Sequence, residues 1–508
     1  MRNNSRTLNS ARNIFAGFIS QGIVLGVGFI NRMVFIRCLS AEYLGLNGLF
    51  TNILSMLSLA ELGIGTAIVY ALYKPLAEND ERQIAILMKF FAKAYKAIGL
   101  FVAVIGIGLL PFLNQLIGEA PNVHENIYTV YLLYLFNTAV SYFFTYKSSL
   151  LIADQKNYIL TIISSLVTII QCAAQCLILL LTRNYLLYLI CQIACSLIYN
   201  FIISGIASHC YPFLRRYPKE RLDAQTQHTL FTNVKALVIT KVSGILVNST
   251  DNIIITALNG LVTTGINSNY VLLTSTLNGI LNVVFSGLTA SIGNANAIES
   301  SERKKQIFYA INLLNFWLYG WCTISFIILA NDLVELFFGK EYLLSMDIVL
   351  IMAVNFYTVG MQNAVWTYNS TLGLFRYGRY LGLLTGGLNI ILSIFLGKRM
   401  GLFGILFATF LSRLFTNIWY SPYILFVHGF HDCFIDYCKR YLVFLIHFIV
   451  IFFITYWLIN ITVNSIMYAV LFKIVICIFI PNILIALIYH RTAEFKLLCS
   501  KFFFLTRI

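Results

Sequence analysis

Charged side chains inside apolar runs are the residues whose chemistry needs explaining. Glu61 lies in "SLAELGIGTAIVYALYKP" (58–75), and Lys241 and Asp251 lie in "TKVSGILVNSTDN" (240–252). Arg32, Lys235, Arg413 and Lys473 also stand within apolar runs. A charge at the centre of a bilayer costs about 2.5–3.5 kcal/mol even on insertion scales, so such groups normally face a bundle interior or water. There, Lys241 and Arg413 could form charge-assisted hydrogen bonds with an anionic cargo. Glu61 and Asp251 could bind a coupling cation or orient cargo. Each could instead be an ion-paired packing group that fastens one helix to the next. Arg32 and Lys235 could snorkel to the interfaces, and Lys473 could snorkel or pack.

Two polar stripes accompany these charges. At 100° per residue, Asn47, Thr51, Ser55, Ser58, Glu61 and Gly65 fall on one helical face. Ser275, Asn278, Asn282, Ser286 and Thr289 form a second stripe. Asn47, Ser55, Ser58, Asn278 and Asn282 are therefore expected to line a polar cavity.

The elements that must carry these residues are membrane-spanning helices. Of 508 residues, 59% are hydrophobic and 11% are charged. A soluble domain carries about 25% charged residues. Apolar runs of about 20 residues, the length that crosses a hydrocarbon core, recur along the chain. The expected fold is an all-α polytopic membrane protein of about fourteen transmembrane helices. The spans fall near 13–36, 44–72, 92–117, 126–150, 158–182, 185–208, 230–257, 266–292, 307–330, 347–373, 380–397, 401–427, 442–460 and 466–489. The first run lacks a small-residue cleavage site and reads as a retained helix rather than a signal peptide.

With both termini cytoplasmic, 25 Lys and Arg fall on cytoplasmic segments and five on external ones. That bias sets the orientation. It also accounts for the net charge of +15 without a nucleic-acid partner. The basic link "YPFLRRYPKERLDAQTQHTL" (211–230) separates the halves. The expected division is a six-helix bundle over 1–209, a cytoplasmic linker over 210–229, a second bundle over 230–427, and two further helices with a tail over 428–508. A shift of 220 places 13–47 on 233–267 without a gap and aligns "LGLN" (44–47) with "TGIN" (264–267). Under it Asn47, Ser55 and Ser58 meet Asn267, Ser275 and Asn278, but Glu61 meets Leu281. Internal duplication around a central cavity is a recurring transporter plan.

In "ERQIAILMKFFAKAYK", Lys89, Lys93 and Lys96 share a face beside Phe and Ile, as in an interfacial helix or a basic loop end. The pairs Cys172/Cys176 and Cys191/Cys195 read as helix packing, and the histidines of "HGFHD" (428–432) as solvated. No G-x-x-x-x-G-K-[ST] phosphate loop occurs. Neither a Ser–His–Asp set nor paired catalytic carboxylates stand out, so no enzyme, metal or cofactor is expected.

The stretch "SAEYLGLNGLFTNILSMLSLAELGIGTAIVYALYKPLAEND" (40–80), above all "ELGIGTAI" followed by "YKPLAE", resembles the first-half signature of Wzx-type polysaccharide flippases. These form the polysaccharide transporter branch of the multidrug/oligosaccharidyl-lipid/polysaccharide (MOP) superfamily. The resemblance implies two pseudo-symmetric six-helix bundles around a central cavity, with two peripheral C-terminal helices. It implies transfer of undecaprenyl-pyrophosphate-linked oligosaccharide between leaflets of the bacterial inner membrane, by alternating access coupled to H⁺ or Na⁺. Cationic cavity residues in related proteins match Arg32, Lys241 and Arg413 by location. Glu61 or Asp251 would then respond to the coupling cation. The partners implied are the lipid-linked oligosaccharide, membrane lipids, and a polysaccharide polymerase and glycosyltransferases of the same pathway. Three other readings are a peptidoglycan lipid-precursor flippase, a polysaccharide polymerase or ligase, and a multidrug exporter. The external connection at 331–346 is short for a polymerase, and the cavity cations do not suit a drug exporter.

Overall fold

The computed structural model describes residues 2–58, 64–117, 123–215, 244, 250–459 and 466–505. The described chain is helical, and ten of its helical stretches are long and apolar enough to cross a membrane. It is a multi-pass membrane protein with two compact units, Met1–Gly265 and Ile266–Ile508.

The first unit contains α1 (Arg2–Cys38), α2 (Ala41–Leu57), α3 (Ile64–Glu78), α4 (Glu81–Gly108), the short α5 (Leu113–Ile117), α6 (Ile127–Ala153), α7 (Asn157–Thr182) and α8 (Tyr185–Cys210). The start of α9 (Thr250–Ile298) also belongs to it. Local caps open three of these helices. Asp80, Asn126 and Asn184 accept hydrogen bonds from the amides of Gln83, Tyr128 and Leu187 at 2.9, 2.9 and 3.0 Å. Such caps satisfy amides that a helix start leaves without partners. The Lys89/Lys93/Lys96 segment is the first half of the continuous α4 rather than a separate interfacial helix.

α1 packs along α7, α7 on α8, α8 on α6, and α6 on α4. The outward faces stay apolar, with Leu180 64% and Leu181 75% exposed, as expected where lipid replaces water.

The second unit is built around α10 (Ser301–Phe338), which is buried on all sides along most of its length. Against it pack α11 (Met346–Met361), α12 (Asn363–Thr371), α16 (Phe434–Ile459), α17 (Ile466–Tyr489) and α18 (Ala493–Leu505). The one-turn α13 (Phe375–Gly378), α14 (Leu381–Leu414) and α15 (Asn417–Ile424) complete it. α16 buries one stripe, Tyr437, Phe444, Ile451, Thr455 and Ile459, and leaves Phe453 and Trp457 outward. That single stripe suits a helix at the bundle edge.

Lys473 neither snorkels nor packs alone. Its Nζ lies 2.5 Å from Asp332 Oδ2, which ties α17 to α10. In "HGFHD", Asp432 pairs with Lys305, and His428 stacks on Tyr377 with ring centroids 3.9 Å apart. These contacts hold the turn between α15 and α16 in place; His428 is therefore not simply solvated, whereas His431 is exposed.

Candidate functional site

In the first unit the internal duplication becomes geometry. The turn between α1 and α2 falls at Ser40, the N-cap of α2. Its equivalent under the 220 shift is Gly260, where α9 kinks at φ 84° and ψ 169°. That backbone suits glycine, whose missing Cβ removes the steric barrier to positive φ. Beyond both turns the chains cross. A Cβ on Gly45 would stand 2.1 Å from the Leu261 carbonyl oxygen, and one on Gly265 would stand 2.2 Å from the Ala41 oxygen. Ala41 and Leu261 are themselves equivalent, as are Gly45 and Gly265. One contact is therefore the twofold image of the other.

The α2 stripe follows from the same packing. Leu46, Leu49, Phe50 and Ile53 are buried, whereas Thr51 is exposed and Asn47 and Ser55 are half-buried. Thr51 Oγ1 donates to Asn47 Oδ1 at 3.3 Å, and Ser55 and Ser58 donate to the Thr51 and Leu54 carbonyls at 2.8 Å. The expected single polar face is present as far as Ser58, the C-cap of α2. Glu61 and Lys241 lie outside the described residues, as does Lys235.

Asp251 is half-buried in the first described turn of α9. Arg32 is half-buried on α1, within electrostatic reach of the Tyr188 hydroxyl. Its neighbour Asn31 donates through Nδ2 to Gln175 Oε1 at 3.3 Å and to the Tyr188 hydroxyl at 3.1 Å. A polar node thus joins α1, α7 and α8 inside an apolar bundle. A cation beside it is not restricted to snorkelling.

In the second unit, Ser275 and Asn282 are exposed and Asn278 is half-buried, while Tyr270, Leu273, Leu281 and Phe285 are buried. The second stripe is thus also a distinct face through Asn282. The side chains of Ser286 and Thr289 lie outside the described residues. Leu281, the counterpart of Glu61, packs with Phe285, Tyr319, Cys322 and Phe356.

Arg413 stands beside a break in the helix of its span. Residues 401–427 do not form one helix with Arg413 at its middle. α14 ends at Leu414, α15 begins at Asn417, and Thr416 between them is non-helical. Arg413 is therefore in the last turn of α14, where the Leu411, Ser412 and Arg413 carbonyls accept from the Phe415 amide, the Thr416 hydroxyl and the Thr416 amide. A cation is favoured at that negative end of the helix dipole. The break is stitched by polar side chains. Thr385 and Thr416 hydroxyls lie 2.8 Å apart, and Asn417 Nδ2 donates to Thr385 Oγ1 at 3.0 Å. The kink at Gly401, φ 59°, separates the two arms of α14 where spans eleven and twelve were expected to part.

A charged cavity of 920 Å³ opens among the starts of α10, α16 and α18. Arg440 Nη1 meets Glu494 Oε1 at 2.6 Å, and its guanidinium covers the Tyr309 ring at 3.8 Å. Partial burial raises the Glu494 carboxyl pKa, but the Arg440 hydrogen bond and charge outweigh it, and the net shift is downward. The Lys305 ammonium, then the Cys433 amide, hold the Asp432 carboxyl below its usual range. A second, apolar cavity of 410 Å³ lies between α1 and α7, with Arg12 at its edge. None of the eight sequence-predicted site residues that are described lines either cavity. Among the described residues, no cluster of three or more His, Cys, Asp or Glu could hold a metal.

No family model and no curated protein matches the chain. Solved structures do. A structure of the lipid II flippase MurJ in an inward closed conformation aligns with 95% of this chain and 99% of its own, at TM-score 0.62 and 16% identity. The fold is that of MurJ. An inward-facing multidrug resistance MATE transporter of the MOP superfamily aligns with 81% of this chain and 98% of its own, at TM-score 0.55 and 11% identity. A Vibrio cholerae MATE transporter aligns with 83% and 96%, at TM-score 0.56 and 12% identity. The MurJ-like fold thus extends over a part of this chain that the MATE structures do not reach.

The reciprocal glycines and the basic cavity are what sequence reasoning missed. Gly45 and Gly265 stood in the aligned "LGLN" and "TGIN", where the repeat was visible but the contact was not. The cavity cations come from three separate segments, and each had already been explained by topology.

Proposed function

We propose that this protein moves an undecaprenyl-pyrophosphate-linked oligosaccharide from the inner to the outer leaflet of the bacterial inner membrane. The product would serve capsule, O-antigen or exopolysaccharide synthesis. The observation that carries this reading is the likeness to a lipid II flippase over 95% of the chain, against 81% and 83% for the MATE structures. It joins the Wzx-like signature at 40–80 and the absence of catalytic motifs from the sequence.

Transport proceeds by alternating access driven by H⁺ or Na⁺. Arg32, Lys241 and Arg413 attract the pyrophosphate through charge-assisted hydrogen bonds. Asn47, Ser55, Ser58, Asn278 and Asn282 meet sugar hydroxyls, while the polyprenyl tail stays in lipid. Glu61 or Asp251 responds to the coupling cation. A polysaccharide polymerase and glycosyltransferases supply and consume the cargo.

The test is reconstitution of the purified chain with defined lipid-linked oligosaccharides, with and without an imposed pH or Na⁺ gradient. Gradient-stimulated flipping above protein-free vesicles is the expected result. Drug export with no movement of any lipid-linked sugar would overturn it. The likeness to MurJ favours one second reading, a peptidoglycan lipid-precursor flippase. Rescue of a strain lacking its own lipid II flippase would select that cargo.

A further inference from the structure

The 920 Å³ cavity has the size of a ligand site, which typically spans about 300–1,000 Å³. Its lining gathers five cations, Arg303, Lys305, Lys439, Arg440 and Lys496, from three helices. Three carboxylates, Glu302, Asp436 and Glu494, share it. Two of the cations are committed to the walls. Lys305 pairs with Asp432, and Arg440 bridges Tyr309 and Glu494, which clamps α16 and α18 to α10. The stack of Phe495 on Trp317, centroids 5.7 Å apart, fixes α18 further.

The other three cations are available. Lys439 stands 3.9 Å from Asp436, and both side chains are largely exposed, an arrangement of little strength. Arg303 bonds only to the neutral Gln306, at 2.9 Å, and neither it nor Lys496 has a carboxylate partner among the described residues. Glu302 is exposed and, with the weakly paired Asp436, supplies the opposing charge left in the lining. Topological charge alone would be satisfied by cations scattered in water. Here they face one solvent-open cavity, where an anion would offset their mutual repulsion.

We propose that this vestibule binds a phosphate-bearing anion between Arg303 of α10, Lys439 of α16 and Lys496 of α18. Arg303 supplies a planar fork for two phosphate oxygens, and the lysines supply point charges. The walls are held without the ligand, so binding requires little reordering. The site lies on the Lys/Arg-rich face, where α10 and α16 enter their apolar stretches. The phosphate can therefore arrive as the headgroup of an anionic lipid or as a soluble species. The inference does not rest on the transport reading.

The test uses the full chain in nanodiscs, with Arg303→Gln/Lys439→Gln/Lys496→Gln as the variant and Lys89→Gln/Lys93→Gln/Lys96→Gln on α4 as a charge-matched control. In one arm, native mass spectrometry reads retention of phosphatidylglycerol over phosphatidylcholine. In the other, calorimetry reads inorganic pyrophosphate binding in phosphatidylcholine alone. Lipid retention lost about tenfold in the triple variant but kept in the control assigns a lipid headgroup. Saturable pyrophosphate binding weakened about tenfold assigns a soluble phosphate; a tenfold change corresponds to about 1.4 kcal/mol. Glu302→Gln, which removes an opposing charge, is expected to tighten whichever ligand binds and serves if the triple variant fails to fold. No selective binding in either arm, or equal loss in the control, overturns the proposal. Phosphate binding without flipping would leave this inference standing and remove the transport reading, and the converse holds.

Discussion

Arg413 shows how a role at a helix end and the proposed role toward cargo can be told apart at one side chain. Its position in the last turn of α14 places it at the negative end of the helix dipole. That interaction contributes about 0.3–1 kcal/mol. A helix-end role needs only positive charge, whereas a pyrophosphate contact also uses the planar fork. Arg413→Gln is therefore expected to lower initial flipping about tenfold, because one hydrogen bond to a charged group is worth about 1.5–3 kcal/mol. Unfolding stability should fall by less than about 1 kcal/mol. Arg413→Lys should restore stability fully and flipping only in part. Equal restoration of both would assign the residue to the helix end alone. Glu61 presents the reverse problem. Its counterpart Leu281 is buried among aromatic side chains, so the carboxylate is not a feature that the two halves share.

At the level of elements, the α2–α9 crossing is the place where the duplication acquires physical consequences. Two backbones approach closely because Gly45 and Gly265 present no Cβ to each other's partners. Gly45→Ala and Gly265→Ala each force a methyl against a backbone carbonyl, which rotamer changes cannot relieve. Each is expected to cost about 1–3 kcal/mol. Since one widening of the crossing relieves both clashes, the double variant should cost less than the sum of the singles. Denaturation of the four proteins in detergent checks this through a double-mutant cycle. Strict additivity would mean that the two contacts are independent.

Much of this element was readable in the chain. The 220 shift placed Gly260 against the Ser40 turn and aligned the two glycines, and the period-3.6 stripes anticipated which faces of α2 and α9 stay open. The close approach was not readable, because a one-dimensional alignment does not show which equivalent residues touch. Long-range pairs were hidden for the same reason. Lys305 finds Asp432 and Lys473 finds Asp332 across more than a hundred residues. The break beside Arg413 was hidden because the hydropathy of 401–427 continues across it, while threonine and asparagine side chains stitch the backbone there.

For the whole molecule, charge bias and native cysteines together provide a test of orientation that needs no substitution. From the 25-to-5 distribution of Lys and Arg, both termini and the links after α8 and α15 are expected on the cytoplasmic face. Cys210 ends α8, Cys433 precedes α16, and Cys499 lies on α18; all three are exposed. Cys172, Cys195, Cys322 and Cys477 are buried within helices and should react slowly. A membrane-impermeant maleimide should therefore modify Cys210, Cys433 and Cys499 in inverted membrane vesicles and spare them in intact spheroplasts, as read by peptide mass spectrometry. Labelling of all three from outside would reverse the orientation. A split pattern would mean that the number of crossings between them is odd, contrary to the six spans expected between Cys210 and Cys433 and the two expected between Cys433 and Cys499. Because the phosphate vestibule adjoins Cys433 and Cys499 in the chain, the same labelling also reports which leaflet that site faces.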